Sequence, residues 1–153
     1  MNNYKKNTKS LYIGDCQVGG NSNISVQSMT KTPTSDVSKT LNQILSLHEN
    51  GCDIIRCGVP DQESAIALKE IVKNSPIPVI ADIHFHYELA LQAIESGVNG
   101  LRLNPGNIRD KTKITDIVKN ANKKNIPIRI GVNFGSLPPV GSIGKTKGIS
   151  RHK

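Results

Sequence analysis

Short apolar runs rich in β-branched residues recur along the chain, and longer amphipathic stretches separate them. The runs that predict strands cover residues 23–29, 53–59, 78–84, 100–104 and 127–133. Their apolar character is nearly continuous, which is typical of parallel strands covered on at least one face. The chain is therefore expected to contain a parallel sheet.

The stretches between these runs predict four helices. The polar residues at 34–36 and Asp61 are suited to cap the first two helices, and the second helix is expected to run to about Val72. Gly51 and Gly97 are suited to end the first and third helices. The fourth helix has apolar residues at the helical spacing Ile114, Ile117, Val118 and Ala121.

Strands that alternate with helices indicate right-handed crossovers, which fit either an open doubly wound sheet or a (β/α)8 barrel. No G-x-G-x-x-G or G-x-x-x-x-G-K-S/T motif follows a strand, and the helices are similar in length. These features favour the barrel. Because a complete barrel has about eight units, the predicted fold class is α/β, a partial TIM-type (β/α)8 barrel with about five parallel strands and four helices.

The flanking segments divide the chain into three predicted regions. Residues 1–22 are expected to form an N-terminal hairpin or lid with glycines at its turn, residues 23–135 the partial barrel, and residues 136–153 an irregular tail without periodicity. A barrel with so few units exposes a strand edge. The chain is therefore expected to be part of a larger domain and to have low stability in isolation.

Composition restricts the partners. Hydrophobic residues make up 36% of the 153 residues, which argues for a folded protein. Aromatic residues make up 3%, with no Trp, so stacking on nucleic-acid bases is not expected to be the main activity. Lys and Arg number 20 against 12 acidic residues, and the net charge of +8 favours anionic partners.

No apolar run approaches the roughly 20 residues that span a bilayer, and the N-terminal MNNYKKNTKS lacks the apolar part of a secretory signal. The protein is therefore predicted to be cytoplasmic, without a membrane partner.

Cys16, Cys52 and Cys57 are expected to be free thiols, because an odd number of cysteines without a secretory signal argues against a disulfide framework. Cys52 and Cys57, both in a predicted strand, are expected to point to opposite faces, which is a poor geometry for a shared metal.

Polar side chains lie late in each predicted strand, where Leu or Val would be usual. Arg102 shares a strand face with Asn104, and Arg129 with Asn133, because alternate residues point to the same side. The carboxyl ends of parallel strands form the mouth of a barrel, where its sites are built. The residues predicted to converge there are Arg56, Asp82, His84, Arg102, Asn104, Arg129 and Asn133.

Converging arginines need counter-charges, because an unpaired charge inside a protein is costly. Asp82 can pair with one of them, and planar guanidinium groups suit phosphate oxygens. The set therefore predicts a site for a phosphate-bearing substrate. The alternative is a purely structural role, in which the arginines pair with carboxylates on neighbouring strands. The D-x-H-x-H pattern of Asp82, His84 and His86 resembles a metal cluster, but no further His or Cys lies at the other strand ends. Hydrogen bonding to the ligand, or support of the residues that bind it, is therefore favoured.

Four motifs, VGGNSNISVQSMTKT, ADIHF, LRLNPGNI and IPIRIGVNFGSL, resemble the N-terminal barrel of the 4-hydroxy-3-methylbut-2-enyl diphosphate synthase family. The resemblance runs from about Ser10 to Leu137. It implies a TIM-type barrel followed by a smaller domain that carries a 4Fe-4S cluster. It also implies an oxidoreductase of non-mevalonate (MEP pathway) isoprenoid biosynthesis, which reductively opens the ring of 2-C-methyl-D-erythritol 2,4-cyclodiphosphate.

The resemblance further implies flavodoxin or ferredoxin as the electron donor and a homodimer when the protein is full length. In the family, arginines and asparagines at the barrel mouth hold the diphosphate. On this chain they correspond to Arg56, Arg102, Asn104, Arg129 and Asn133, with Asp82 and His84 beside them.

The chain departs from the family pattern in several places. The family binds its cluster through three cysteines and a glutamate of the C-terminal domain, and Cys16, Cys52 and Cys57 do not match these ligands. His86 stands where an acidic residue is usual, and Phe134 where a smaller residue is common. The chain is therefore expected to be a substrate-binding barrel fragment without a metal site of its own, inactive alone.

Two other functions fit part of the pattern. A pterin- or phosphate-binding barrel of the dihydropteroate-synthase type could use a D-x-H strand end and arginines similarly. A non-catalytic basic protein could bind nucleic acid or ribosomes through its charge, with an affinity that falls steeply with salt. The arginines lie within apolar strands rather than along a basic stripe, which argues against the second of these.

Overall fold

The computed structural model describes residues 8–84, 86–104, 107–108 and 110–132. The strands in these ranges are β1 Leu11–Ile13, β2 Cys16–Val18, β3 Gln27–Met29, β4 Ile54–Val59, β5 Val79–Ile83, β6 Gly100–Leu103 and β7 Ile128–Ile130. The helices are α1 Val37–Glu49, α2 Gln62–Asn74, α3 Tyr87–Glu95 and α4 Lys111–Lys123.

The strands β3 to β7 form one parallel sheet in chain order, and a helix follows each of the first four. One face of the sheet packs on the helices. Its strand residues join helix residues in one hydrophobic core, including Ile55, Val79, Ala81 and Leu101 with Ile44, Leu68, Ala93 and Ile117. A doubly wound sheet would reverse its strand order and carry helices on both faces. The predicted partial barrel is therefore confirmed.

The sheet is strongly curved. Strands β3 and β7 are its two edges within the described part of the chain, yet Arg129 Nη1 of β7 donates to Gln27 Oε1 of β3 at 3.2 Å. In a flat sheet four strand steps would separate these strands by roughly 19 Å, beyond the combined reach of the two side chains. The sheet therefore curls around its inner face, as in a barrel.

Aspartates begin three of the helices. The side chains of Asp36, Asp61 and Asp110 accept hydrogen bonds from the backbone N–H groups of Lys39, Ser64 and Thr112 at 3.1, 2.8 and 2.9 Å. The pKa of all three carboxyl groups is lowered. The main cause is the side-chain contact with Lys39 for Asp36, the hydroxyl of Thr112 for Asp110 and the backbone bond from Ser64 for Asp61, and the backbone bonds contribute in the first two as well. The caps predicted near residue 36 and at Asp61 are thus confirmed. The predicted ends are confirmed as well, since Gly51 and Gly97 have φ angles of 86° and 83°.

Two local predictions are wrong. The strand expected at 23–29 begins only at Gln27, because Val26 pairs with a loop: its N–H donates to Asp53 Oδ2 at 2.7 Å and its carbonyl accepts from Asp53 N at 2.8 Å. Cys52 and Cys57 do not face opposite sides, since both are buried in the helix-facing core. Strand β4 starts at Ile54, so strand alternation does not extend back to Cys52.

The antiparallel hairpin β1–β2 lies at the amino-terminal end of the sheet. A Cβ at Gly14, in its turn, would lie 3.0 Å from Pro78 Cγ, just before β5, and 3.1 Å from Asn99 Nδ2, just before β6. Between hairpin and sheet lies a cavity of about 400 Å³, lined by apolar residues such as Leu11, Ile13 and Ile80 and also by Gln27 and Arg129. The hairpin therefore covers the bottom of the curved sheet.

Helix α2 offers a direct test of the helix-facing core. We expect Leu68→Ala to lower the free energy of unfolding by about 2–5 kcal/mol, because Leu68 is fully buried and its loss leaves a cavity. Ile66→Ala on the same helix is the matched control: Ile66 is 58% exposed, and we expect a change of less than about 0.5 kcal/mol. Urea unfolding followed by circular dichroism compares the two. Equal losses would contradict the helix orientation.

Candidate functional site

Three charged residues form a row across adjacent strands. Asp82 of β5 is in register with Arg102 of β6, and Arg102 with Arg129 of β7. Neighbours in register on parallel strands point to the same side. Leu101 and Leu103, which flank Arg102, face the helices, so the row lies on the inner face of the curved sheet.

Asp82, at the β5 end of this row, is its buried carboxylate. It is 3% exposed, and its Oδ1 accepts a hydrogen bond from Arg102 Nη1 at 3.0 Å. Its Oδ2 lies 3.3 Å from Arg56 Nε, close enough for an ion pair although the angle does not make a hydrogen bond. His84 Nε2 lies 3.6 Å from Oδ1. One buried carboxylate is thus shared by two guanidinium groups and an imidazole.

Each arginine of the site also has a neutral contact. Arg56 Nη2 donates to Met29 Sδ at 3.3 Å, and Arg129 Nη1 to the Gln27 amide oxygen at 3.2 Å. Arg102 Nη2 donates to the backbone carbonyl of Gly131 at 3.4 Å. Arg129 is exposed, and within the described part of the chain it has no ion pair.

Asn104 follows β6 directly and is 3% exposed. Its carbonyl accepts from the backbone N–H groups of Asn107 and Ile108 at 3.0 and 3.4 Å. Asn107 Nδ2 in turn donates to the carbonyl of His84 at 2.9 Å. The segments that follow β5 and β6 are therefore joined beside the row.

The structure thus brings together most of the predicted site. Asp82, His84, Arg56 and Arg102 lie in direct contact, Arg129 stands next to Arg102 in register, and Asn104 ends the same strand. Asn133 lies outside the described residues, as does the tail 136–153. The role of these residues in binding stays a prediction.

Sequence reasoning missed three contributors to this arrangement. Gln27 was not predicted as a partner of Arg129, since that contact depends on the curvature of the sheet. Asn107 is the second asparagine of N-P-G-N, and an asparagine in a turn after a strand is a usable signal of loop anchoring. Gly131 lies two residues after Arg129 and faces the same side, and only the three-dimensional structure shows that its lack of a side chain leaves space for Arg102.

The cysteines are distant from the row or point away from it. Burial raises the pKa of the Cys57 thiol to about 11, with a weaker opposing effect of Thr30. Cys52 Sγ donates to the Ile54 carbonyl at 3.1 Å, and Cys16 lies in the hairpin. Nowhere in the described ranges do three or more His, Cys, Asp or Glu side chains form a group that could hold a metal ion. Thiolate ligation of an iron–sulfur cluster therefore does not fit these cysteines.

These features define a parallel (β/α) barrel domain with a basic inner face at the carboxyl ends of its strands. The chain belongs to the GcpE TIM-barrel domain family, whose profile matches residues 8–147. This agrees with the family resemblance of the four motifs.

Curated relatives support this assignment. A protein of Malacoplasma penetrans is 54% identical over 134 residues, which are 88% of this chain and 37% of that protein. A protein of a Sulfurihydrogenibium species is 55% identical over 133 residues, or 87% of this chain and 38% of that protein. Both are named 4-hydroxy-3-methylbut-2-en-1-yl diphosphate synthase (flavodoxin). The chain therefore spans less than two fifths of the length of these relatives.

Among solved structures, a mandelate oxidase variant aligns with a TM-score of 0.48 and 12% identity, over 65% of this chain and 40% of that one.

Proposed function

We propose that the inner row binds the diphosphate group of 2-C-methyl-D-erythritol 2,4-cyclodiphosphate, in an enzyme that opens the ring of this substrate reductively. The observation that carries the proposal is a charge imbalance: Arg56 and Arg102 share the single carboxylate of Asp82, while Arg129 contacts a neutral amide. Anionic phosphate oxygens would complement this excess, because guanidinium groups bind them in pairs of charge-assisted hydrogen bonds.

Each side chain would have a separate part in binding. Asp82 fixes the guanidinium of Arg102, so its remaining N–H groups point in a set direction without an ordering cost on binding. Arg129 is exposed and would meet the ligand first. Asn104, and Asn133 beyond the described residues, would add amide contacts. His84, beside Asp82, would contact the ligand or support the carboxylate.

The redox part of the proposal concerns the whole protein. The names of the relatives include flavodoxin, which we propose as the electron donor, with ferredoxin as the other candidate. The family resemblance implies a 4Fe-4S cluster that supplies electrons and a homodimer. Because the cysteines of this chain do not fit a cluster, its ligands would come from outside the described residues.

The proposed location is the cytoplasm. In the part of the chain that the structure describes, none of the helices has the length and apolarity needed to cross a membrane.

Calorimetric titration of the chain tests the binding proposal. We expect saturable binding of the cyclic diphosphate and weaker binding of inorganic pyrophosphate, because both place adjacent phosphate groups on the arginines. A dihydropterin and a short RNA duplex are the comparison ligands. Binding of the pterin alone would favour the dihydropteroate-synthase type of barrel. Binding of RNA alone, abolished by moderate salt, would favour a non-catalytic basic protein.

The redox proposal needs a separate experiment on the protein at the full length that its gene encodes, purified without oxygen. We expect a brown protein that contains iron and consumes the cyclic diphosphate with reduced flavodoxin. A colourless, iron-free protein that still turned over would contradict the redox proposal without affecting the binding proposal.

A further inference from the structure

Gly131 lies directly beside the guanidinium group of Arg102. A Cβ built on Gly131 would lie 2.8 Å from Arg102 Nε, 3.1 Å from Nη2 and 3.3 Å from Cζ. Real Cβ atoms essentially never approach another heavy atom below 3.0 Å. The guanidinium of Arg102 therefore lies in the space that any other residue at position 131 would fill.

The backbone at this point cannot easily move away. Gly131 N donates to the Leu103 carbonyl of β6 at 2.9 Å, which continues the pairing of β6 with β7. The carbonyl of Gly131 also accepts from Arg102 Nη2 at 3.4 Å. If a side chain were added at position 131, the flexible end of Arg102 would have to give way.

Arg102 is held by contacts on both sides. Its Nη1 donates to Asp82 on β5, and its Nη2 reaches towards β7 on the other side. The guanidinium thus spans the inner face from β5 to β7, over Gly131. A displaced guanidinium would lose the hydrogen bond to Asp82, the contact to Gly131, or both.

We propose that Gly131 is a positioning residue, which leaves space for the Arg102 guanidinium and holds it through its carbonyl in the orientation that binds diphosphate. The proposal rests on the binding function given above. It adds to that function a determinant of affinity that acts through Arg102.

The chain supplies a matched control. Gly58 on β4, like Gly131, has no left-handed φ, and it is in register with Asp82. Within the ranges that the structure describes, a Cβ there would meet only Met29 Cε, at an ordinary 3.7 Å. Gly58→Ala therefore makes the same chemical change on the same sheet without entering the space of an arginine.

The first measurement requires no ligand. We expect Gly131→Ala to lower the urea midpoint of unfolding, and to do so much less in a chain that also carries Arg102→Ala, where the guanidinium is absent. Gly58→Ala should shift the midpoint by the same amount in both backgrounds. An equal shift by Gly131→Ala in both backgrounds would show that Gly131 does not leave space for the Arg102 guanidinium.

The second measurement is the pyrophosphate affinity by calorimetry. We expect Gly131→Ala to weaken binding by about tenfold, the effect of one misplaced charge-assisted contact, and Gly58→Ala to bind like the unaltered chain. Unchanged affinity of Gly131→Ala in a chain that binds pyrophosphate would overturn the positioning role. If the unaltered chain binds neither pyrophosphate nor the cyclic diphosphate, the proposed function is wrong, and so is the role of Gly131 in binding. The urea unfolding of the Gly131 and Arg102 variants would still show whether Gly131 leaves space for the Arg102 guanidinium.

Discussion

Asp82→Asn is expected to lower the free energy of unfolding by about 3 kcal/mol. Removing one partner of a buried ion pair usually costs about 3–5 kcal/mol, because the other charge is left without compensation. Here two guanidinium groups lose their shared carboxylate. Their side chains are 25% and 13% exposed, so partial hydration of Arg56 and Arg102 places the expected cost at the lower end of the range.

The geometry makes asparagine a poor substitute. An amide at position 82 presents one oxygen and one NH2 group, and the two Asp82 oxygens face different arginines. The NH2 group must therefore point towards one of the guanidinium groups, whose N–H groups are donors as well. The substitution preserves shape and removes the charge, so it isolates the electrostatic contribution.

Urea unfolding of matched variants measures this effect. Asp116→Asn makes the same change at an exposed position of α4, and we expect it to alter stability by less than about 0.5 kcal/mol. Adding Arg56→Met to Asp82→Asn should recover part of the loss, because it removes one of the uncompensated charges. Equal stabilities of the Asp82 and Asp116 variants would show that the carboxylate does not compensate the two arginines.

The placement of the charged row was predictable because it depends on simple rules. Alternation along a strand puts Arg102 and Asn104 on one face of the sheet, and the same alternation puts Asp82 on that face in the neighbouring strand. Parallel pairing in chain order then aligns Asp82, Arg102 and Arg129. No knowledge of long-range packing is needed for this step, since each β/α unit adds its strand next to the previous one.

The contacts that orient the row depend on three-dimensional features that a sequence does not encode locally. Gln27 and Arg129 are 102 residues apart and meet only because the sheet curls. The role of Gly131 depends on the direction that the Arg102 side chain takes, which Asp82 on the next strand determines. The start of β3 was misjudged because the Asp53 side chain, on a separate loop, takes the N–H group of Val26.

The arrangement has a consequence for how stability and binding are divided. Asp82 compensates the two arginines that are partly buried, whereas Arg129 is exposed and contacts a neutral amide. Among the described residues, the chain thus provides a counter-charge for the guanidinium groups of Arg56 and Arg102 and none for the exposed guanidinium of Arg129. Substitutions of the partly buried Arg56 and Arg102 should therefore change both stability and affinity. Substitution of the exposed Arg129 should change affinity alone.

Arg129→Met is expected to weaken binding of the cyclic diphosphate by about 1.5–3 kcal/mol, or about 10- to 150-fold, the usual value of a hydrogen bond to a charged group. Its unfolding free energy should change by less than about 0.5 kcal/mol, because Arg129 is exposed and its partner Gln27 can be hydrated. Arg102→Met should weaken binding by a similar factor and also reduce stability, since it removes the hydrogen bond to buried Asp82.

Calorimetric titration and urea unfolding of the same preparations distinguish these effects. Lys119→Met, at an exposed position of α4, removes one positive charge far from the row and controls for long-range electrostatics. We expect it to reduce affinity by less than about twofold in 0.15 M salt, where charges more than about 8 Å away are largely screened. If Lys119→Met and Arg129→Met weakened binding equally, affinity would follow net charge rather than the row, and the diphosphate site would have to lie elsewhere on the protein.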